Sequence, residues 1–131
     1  MKNLLESIRK KWNDWCGDRE MEVAIRKHLT QNGYYGGSVK LTNVRLVAVQ
    51  RPGWLQVFRF EAVAQVQVEE TDGPDPEPVY ENLYGLVRDD IRHKVLSVRV
   101  FDKPSERREL FLRWSDGLIQ LRGAQGLGVT Q

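Results

Sequence analysis

Along the first thirty residues apolar side chains recur every three or four positions; from Val39 to Phe101 they recur mainly every second position. The first spacing lines one face of a helix and the second lines one face of a strand. Leu4, Leu5, Ile8, Trp12 and Trp15 form a first helical stripe, with Lys10, Lys11, Asn13 and Asp14 mainly on the other side. Gly17 interrupts it. Asp18 is suited to cap a second helix, whose stripe is Met21, Ala24, Ile25, His28 and Leu29. "QNGYYGG" ends that helix, with Asn32 or Gly33 placed for the left-handed C-terminal position. Two helices and one bent helix fit the pattern equally.

The strand pattern has its own punctuation. In "SVKLTNVRLVAVQ" the apolar parity slips near Thr42 and Asn43, which predicts a β-bulge there. "QRPGW" carries Pro52 and Gly53 in the order of a type II turn. The next strand, "WLQVFRFEAVAQVQVE", puts Phe58, Phe60, Ala62, Ala64, Val66 and Val68 on one face and Arg59, Glu61, Gln65 and Gln67 on the other. Val57 and Val63 fall among the second set. "VYENLYGLVRDDIRHKVLSVRVF" predicts two further strands that turn near Asp89 and Asp90. In residues 105–122, Leu110, Phe111, Trp114, Leu118 and Leu121 fit a helical face with Ser105 as its cap. Asp116 and Gly117 equally mark a hairpin turn; the Glu/Arg-rich entry favours the helix. Residues 123–131 are expected to be a disordered tail.

Between the second and third predicted strands lies "EETDGPDPEPVYE", with six carboxylates, three prolines and no cation. Neither flanking half has enough elements to bury both a helical stripe and a sheet face. Residues 70–78 are therefore read as a loop inside one domain, residues 1–122. The expected fold class is α+β: an N-terminal helix or helix pair packed on a curved four-stranded antiparallel sheet, then a short C-terminal helix or hairpin. In that order of elements residues 1–101 resemble the cystatin-like and NTF2-like α+β shape. The resemblance implies a ligand held in the cone between helix and sheet, or dimerisation through the sheet. It also implies, for a minority of such domains, catalysis by an Asp–His pair inside the cone.

The composition narrows the setting. The 131 residues are 40% hydrophobic and 29% charged, as a globular domain requires. No apolar run approaches the roughly 18–20 residues that span a bilayer, so no membrane association is expected. The single cysteine, Cys16, makes no internal disulfide, and a cytoplasmic location is expected. The net charge of +2 hides an asymmetry: the six carboxylates of residues 69–81 leave +8 on the rest of the chain.

Candidate chemistry is sparse. His28, His93 and Cys16 do not make a Cys/His zinc site, and no metal or cofactor is expected. Cys16 has no histidine beside it in sequence to act as base. His28 points from its stripe toward any pocket under the sheet, with Phe58 and Phe60 as further pocket candidates; Asp89, Asp90 or Glu61 would supply an acid partner. Adjacent Asp89 and Asp90 suit turn chemistry better than a shared acid–base role. Cations gather in the last third of the chain, but Asp102, Glu106, Glu109 and Asp116 are interleaved with them, so nucleic acid is not the expected partner. Four tryptophans in a short chain favour a protein interface. Trp54, Trp114 and the loop acids Asp72, Asp75 and Glu77 are the interaction candidates. The expected function is a binding or protein-interaction domain without catalysis, whose partner is another protein or a second copy (a homodimer). The alternative is a small-molecule pocket, or a minor enzyme of NTF2-like shape, that uses His28; a further alternative is nucleic-acid binding through the basic C-terminal third.

Overall fold

The computed structural model describes residues 19–50, 54–68, 73 and 77–127. The predicted first helix, Cys16, the Asp18 cap, the turn at Pro52 and Gly53, the loop acids Asp72 and Asp75, and residues 128–131 lie outside the described residues.

Helix α1 (Arg19–Gln31) has the predicted stripe: Met21, Ile25 and Leu29 are fully buried. It stops as its sequence directs. Gly33 takes φ +95°, and the Tyr34 N–H donates to the Leu29 carbonyl (3.0 Å), closing the C-terminal turn. A single-turn 3-10 helix, Gly36–Ser38, then packs back on α1. A Cβ on Gly36 would strike the Arg26 carbonyl, so only glycine permits this approach.

The sheet is antiparallel with five strands: β1 (Lys40–Val49), β2 (Leu55–Gln65), β3 (Tyr80–Asp90), β4 (Val95–Phe101) and β5 (Ile119–Gln120), in the order β4-β3-β2-β1-β5. Four were expected. The fifth comes from the segment in which helix and hairpin competed, and both readings hold part of the truth. Helix α2 (Pro104–Trp114) forms first; Gly117 at φ +78° then turns the chain, and Ile119 and Gln120 pair with Val49 and Ala48 of β1. Ser105 is not the cap. Lys103 holds the N-cap position without a side-chain bond, because Pro104 begins the helix and needs no N–H partner. The predicted bulge is present: the β1–β2 register shifts between Thr42 and Arg45, with Asn43 at φ +54°.

Both faces of the sheet are covered. On one, α1 packs on Phe58, Phe60, Ala62 and Ala64 of β2 and their neighbours on β3 and β4. On the other, Leu110 and Phe111 of α2 join Val57, Leu86 and Val47. The polar outer face expected for β2 is thus only half right, since the valine at 57 lies beneath α2. Residues 123–127, read as the start of a disordered tail, belong to this second core: Ala124 and Leu127 are buried against it. The helix-on-sheet order that prompted the cystatin-like comparison holds for residues 19–101, and α2 adds a third layer.

One close side-chain contact crosses β2 and β3. Phe60 lies opposite Gly85, and its ring fills the space a Cβ on that glycine would need. Gly85→Ala should destabilise the protein by about 1–3 kcal/mol through overpacking, read as a lower urea midpoint. The double variant G85A/F60L should recover part of the loss. An unchanged midpoint for G85A would show that the approach is not a constraint.

Candidate functional site

His28 is half-buried on α1 and lines two clefts. One, of about 410 Å³, lies between Lys27 and Gln31 of α1 and Ser97 and Arg99 of the edge strand β4. The other, of about 260 Å³, holds Asn32, Tyr34, Asp102 and Glu106. Burial and then the Arg99 charge hold the His28 pKa below its ordinary 6.5, so at neutral pH the imidazole is uncharged and offers one donor and one acceptor. Tyr34 is also held neutral: its burial, and then its hydrogen bond to Glu81 (2.7 Å), push its pKa up to about 12. These clefts suit a small polar molecule.

The other expected pocket residues are elsewhere. Phe58 and Phe60 line neither cleft; they are packed under α1 in the core. Glu61 lies on the opposite face of the sheet, held by arginines. Asp89 sits in β3 opposite Gln56 and Leu96. Asp90 pairs with the other histidine: its carboxylate accepts the His93 N–H (3.0 Å) and lies 2.8 Å from His93 Nδ1. This Asp–His pair closes the β3–β4 turn at the end of the sheet, with His93 largely exposed. Burial alone would raise the Asp90 pKa, but the His93 bonds and the charges of His93 and Arg88 outweigh it and lower it. The pair does the turn work expected of Asp90, outside any helix–sheet cone.

Both tryptophan candidates described here are half-buried and engaged. Trp54 carries Arg92 over its ring (5.6 Å) and meets the His93 ring edge-on (6.0 Å). Trp114 packs beside Leu118 at the margin of the α2 core. Glu77 is exposed. Near it the distal end of the β2–β3 hairpin leaves Val63, Val68, Val79 and Tyr80 more than a third exposed.

The densest charge cluster was not anticipated. Arg107 of α2 is 3% exposed; its Nη1 donates to the Phe60 carbonyl (3.1 Å) and to Glu61 (3.3 Å), and its guanidinium lies 5.2 Å from the Tyr84 ring centre. Glu61 and Tyr84 are cross-strand partners, so α2 delivers its cation onto an anion–aromatic pair. Burial, and then the nearby Arg59 charge, lower the Arg107 pKa, and Glu61 opposes them. Arg59 also pairs with Glu61 (3.5 Å) and donates to the carbonyls of Gly123 (3.1 Å) and Gln125 (2.9 Å). In sequence these arginines read as a solvated mixed-charge face. Their convergence depends on strand register and on where α2 docks, which no local pattern records.

Among the described residues no three His, Cys, Asp or Glu side chains gather to hold a metal ion, and no helix is long and apolar enough to cross a membrane. Compared with known proteins, the chain matches no family model, no curated protein and no solved structure.

Because His28 has a lowered pKa in the fold, its neutral form is favoured by folding. The contribution is complete above the unfolded value of 6.5 and is lost as pH falls through the folded value. Melting temperatures at pH 7.5 and pH 5 should therefore drop further for the native chain than for His28→Gln. Equal drops would place the histidine in free contact with water.

Proposed function

We propose that this chain is a non-catalytic protein-interaction domain of the cytoplasm. It engages its partner through the distal end of the β2–β3 hairpin. The observation that carries the reading is the exposed apolar group there: Val63 (39%), Val68 (44%), Val79 (53%) and Tyr80 (59%) stand at the hairpin end. The six carboxylates of residues 69–81 belong to the same stretch of chain. Exposed apolar side chains in a stretch of chain rich in carboxylates suit a docking surface. It fits a partner with an apolar patch flanked by lysine or arginine. A second copy of this chain meets the charge requirement too, since its remaining residues carry +8. The half-buried Trp54 and Trp114 are engaged by other parts of the fold and are secondary to this surface.

A second reading rests on the two clefts that meet at an uncharged His28. There the chain would bind a small polar molecule. Affinity capture from native lysate at moderate salt, with the self-association of each form measured by sedimentation, separates the two. The native chain and His28→Ala should retain the same stoichiometric partner, or the same dimer, and V79K/Y80K should lose it. Capture indifferent to the lysine substitutions would contradict the interaction reading. Loss on His28→Ala alone would move the function to the clefts.

A further inference from the structure

On the face of the sheet covered by α2, a cleft of about 280 Å³ opens between β1, β2 and the 3-10 turn Arg122–Ala124. Arg45, Arg59 and Arg122 line it, with Asn43, Gln125 and a single carboxylate, Glu61. Each element that shapes the cleft does so by a specific device. The bulge at Asn43 shifts β1 by one position, so that Arg45 comes directly opposite Arg59. Gly123 lets the turn approach β1, since a Cβ there would sit 2.8 Å from the Leu46 carbonyl. Arg59 fastens that turn through the carbonyls of Gly123 and Gln125.

Among the described residues the charges in this cleft do not balance. Glu61 is the one anion, and it is already divided between Arg107 behind it and Arg59 beside it. Arg45 and Arg122 make no side-chain hydrogen bond or ion pair with any other described residue. Like charges directly opposite across two strands are unfavourable. Arg59 cannot relieve the clash by swinging into water, because its two carbonyl bonds hold it and its side chain is 16% exposed. Arg45 and Arg122 are exposed, and an anion with enough oxygens would accept from several of these guanidinium forks at once.

We propose that this cleft binds a phosphate group, either free phosphate or the monoester of a small molecule. A phosphate near neutral pH carries close to two negative charges and three or more acceptor oxygens, which answers the two unpaired guanidiniums and the shared one. The volume lies just below the range of drug-sized ligand pockets, about 300–1,000 Å³, and suits a small anion. Among the described residues no aromatic side chain lines the cleft. The amides of Asn43 and Gln125 are positioned to hydrogen-bond the remaining oxygens or a neighbouring hydroxyl.

The test is isothermal titration of the full chain at low ionic strength with inorganic phosphate, glycerol 3-phosphate and succinate. The melting temperature of each variant is read beside it. Saturable binding of either phosphate probe is expected, with succinate much weaker; the tighter of the two phosphates identifies the free anion or the monoester. Arg45→Gln and Arg122→Gln should each weaken phosphate binding by about tenfold or more. Arg45→Gln should also leave the unliganded melting temperature unchanged or raised, because it removes a like-charge pair. Three results would each overturn the assignment: no saturable phosphate binding, succinate bound as tightly as phosphate, or full affinity in both glutamine variants. So would a lowered melting temperature in Arg45→Gln with binding intact, which would make Arg45 a structural residue.

Discussion

A guanidinium buried between a helix and a sheet is costly to desolvate, and the structure is arranged around meeting that cost. Arg107 gains the Phe60 carbonyl, the Glu61 carboxylate and the Tyr84 ring face. Its Nε finds no partner among the described residues, which leaves Glu61 as the main compensation. That fixes Glu61, and Glu61 in turn holds Arg59. Arg59 reaches the carbonyls of Gly123 and Gln125 and pins the last described turn across β1. A single chain of charge-assisted contacts therefore runs from α2, through the central strand, to the C-terminal segment.

The two cores rest on different physics. Under α1 the core contacts are apolar, from Met21, Ile25 and Leu29 onto the phenylalanine and alanine row of β2. Packing of that kind is strong and tolerant of volume-conserving change. Under α2 the apolar set is smaller, and an ion network lies beside it, in which Arg107 meets the Glu61–Tyr84 pair. The two cores meet at adjacent cross-strand pairs: Phe60 over Gly85 on the α1 face, and Glu61 opposite Tyr84 on the α2 face.

Much of this was legible in the chain. The period change after Gly37, the left-handed Gly33, the slip at Asn43 and the alternation of β2 each follow from a local rule, and each appears where the rule puts it. What was not legible is non-local. Residues 118–121 are too few to signal a strand, and β5 exists only because β1 offers an open edge. Ala124 and Leu127 lie in a glycine-rich stretch that reads as a tail, yet the second core has room for both. Arg45, Arg59, Arg107 and Arg122 are scattered over 78 positions, and only the register and the docking of α2 bring them around one carboxylate. Asp90 and His93, three residues apart, resemble a catalytic pair in composition but close a turn, because the chain reverses between them.

The central claim is that Arg107 joins the C-terminal third to the sheet. Hydrogen–deuterium exchange of Arg107→Met, compared residue by residue with the native chain, tests it most directly. The account predicts a selective loss of protection over residues 104–127 and around Glu61, with α1 and the β3–β4 pairing protected as before. Unchanged protection over residues 118–127, or an equal loss across α1 and α2 together, would contradict it.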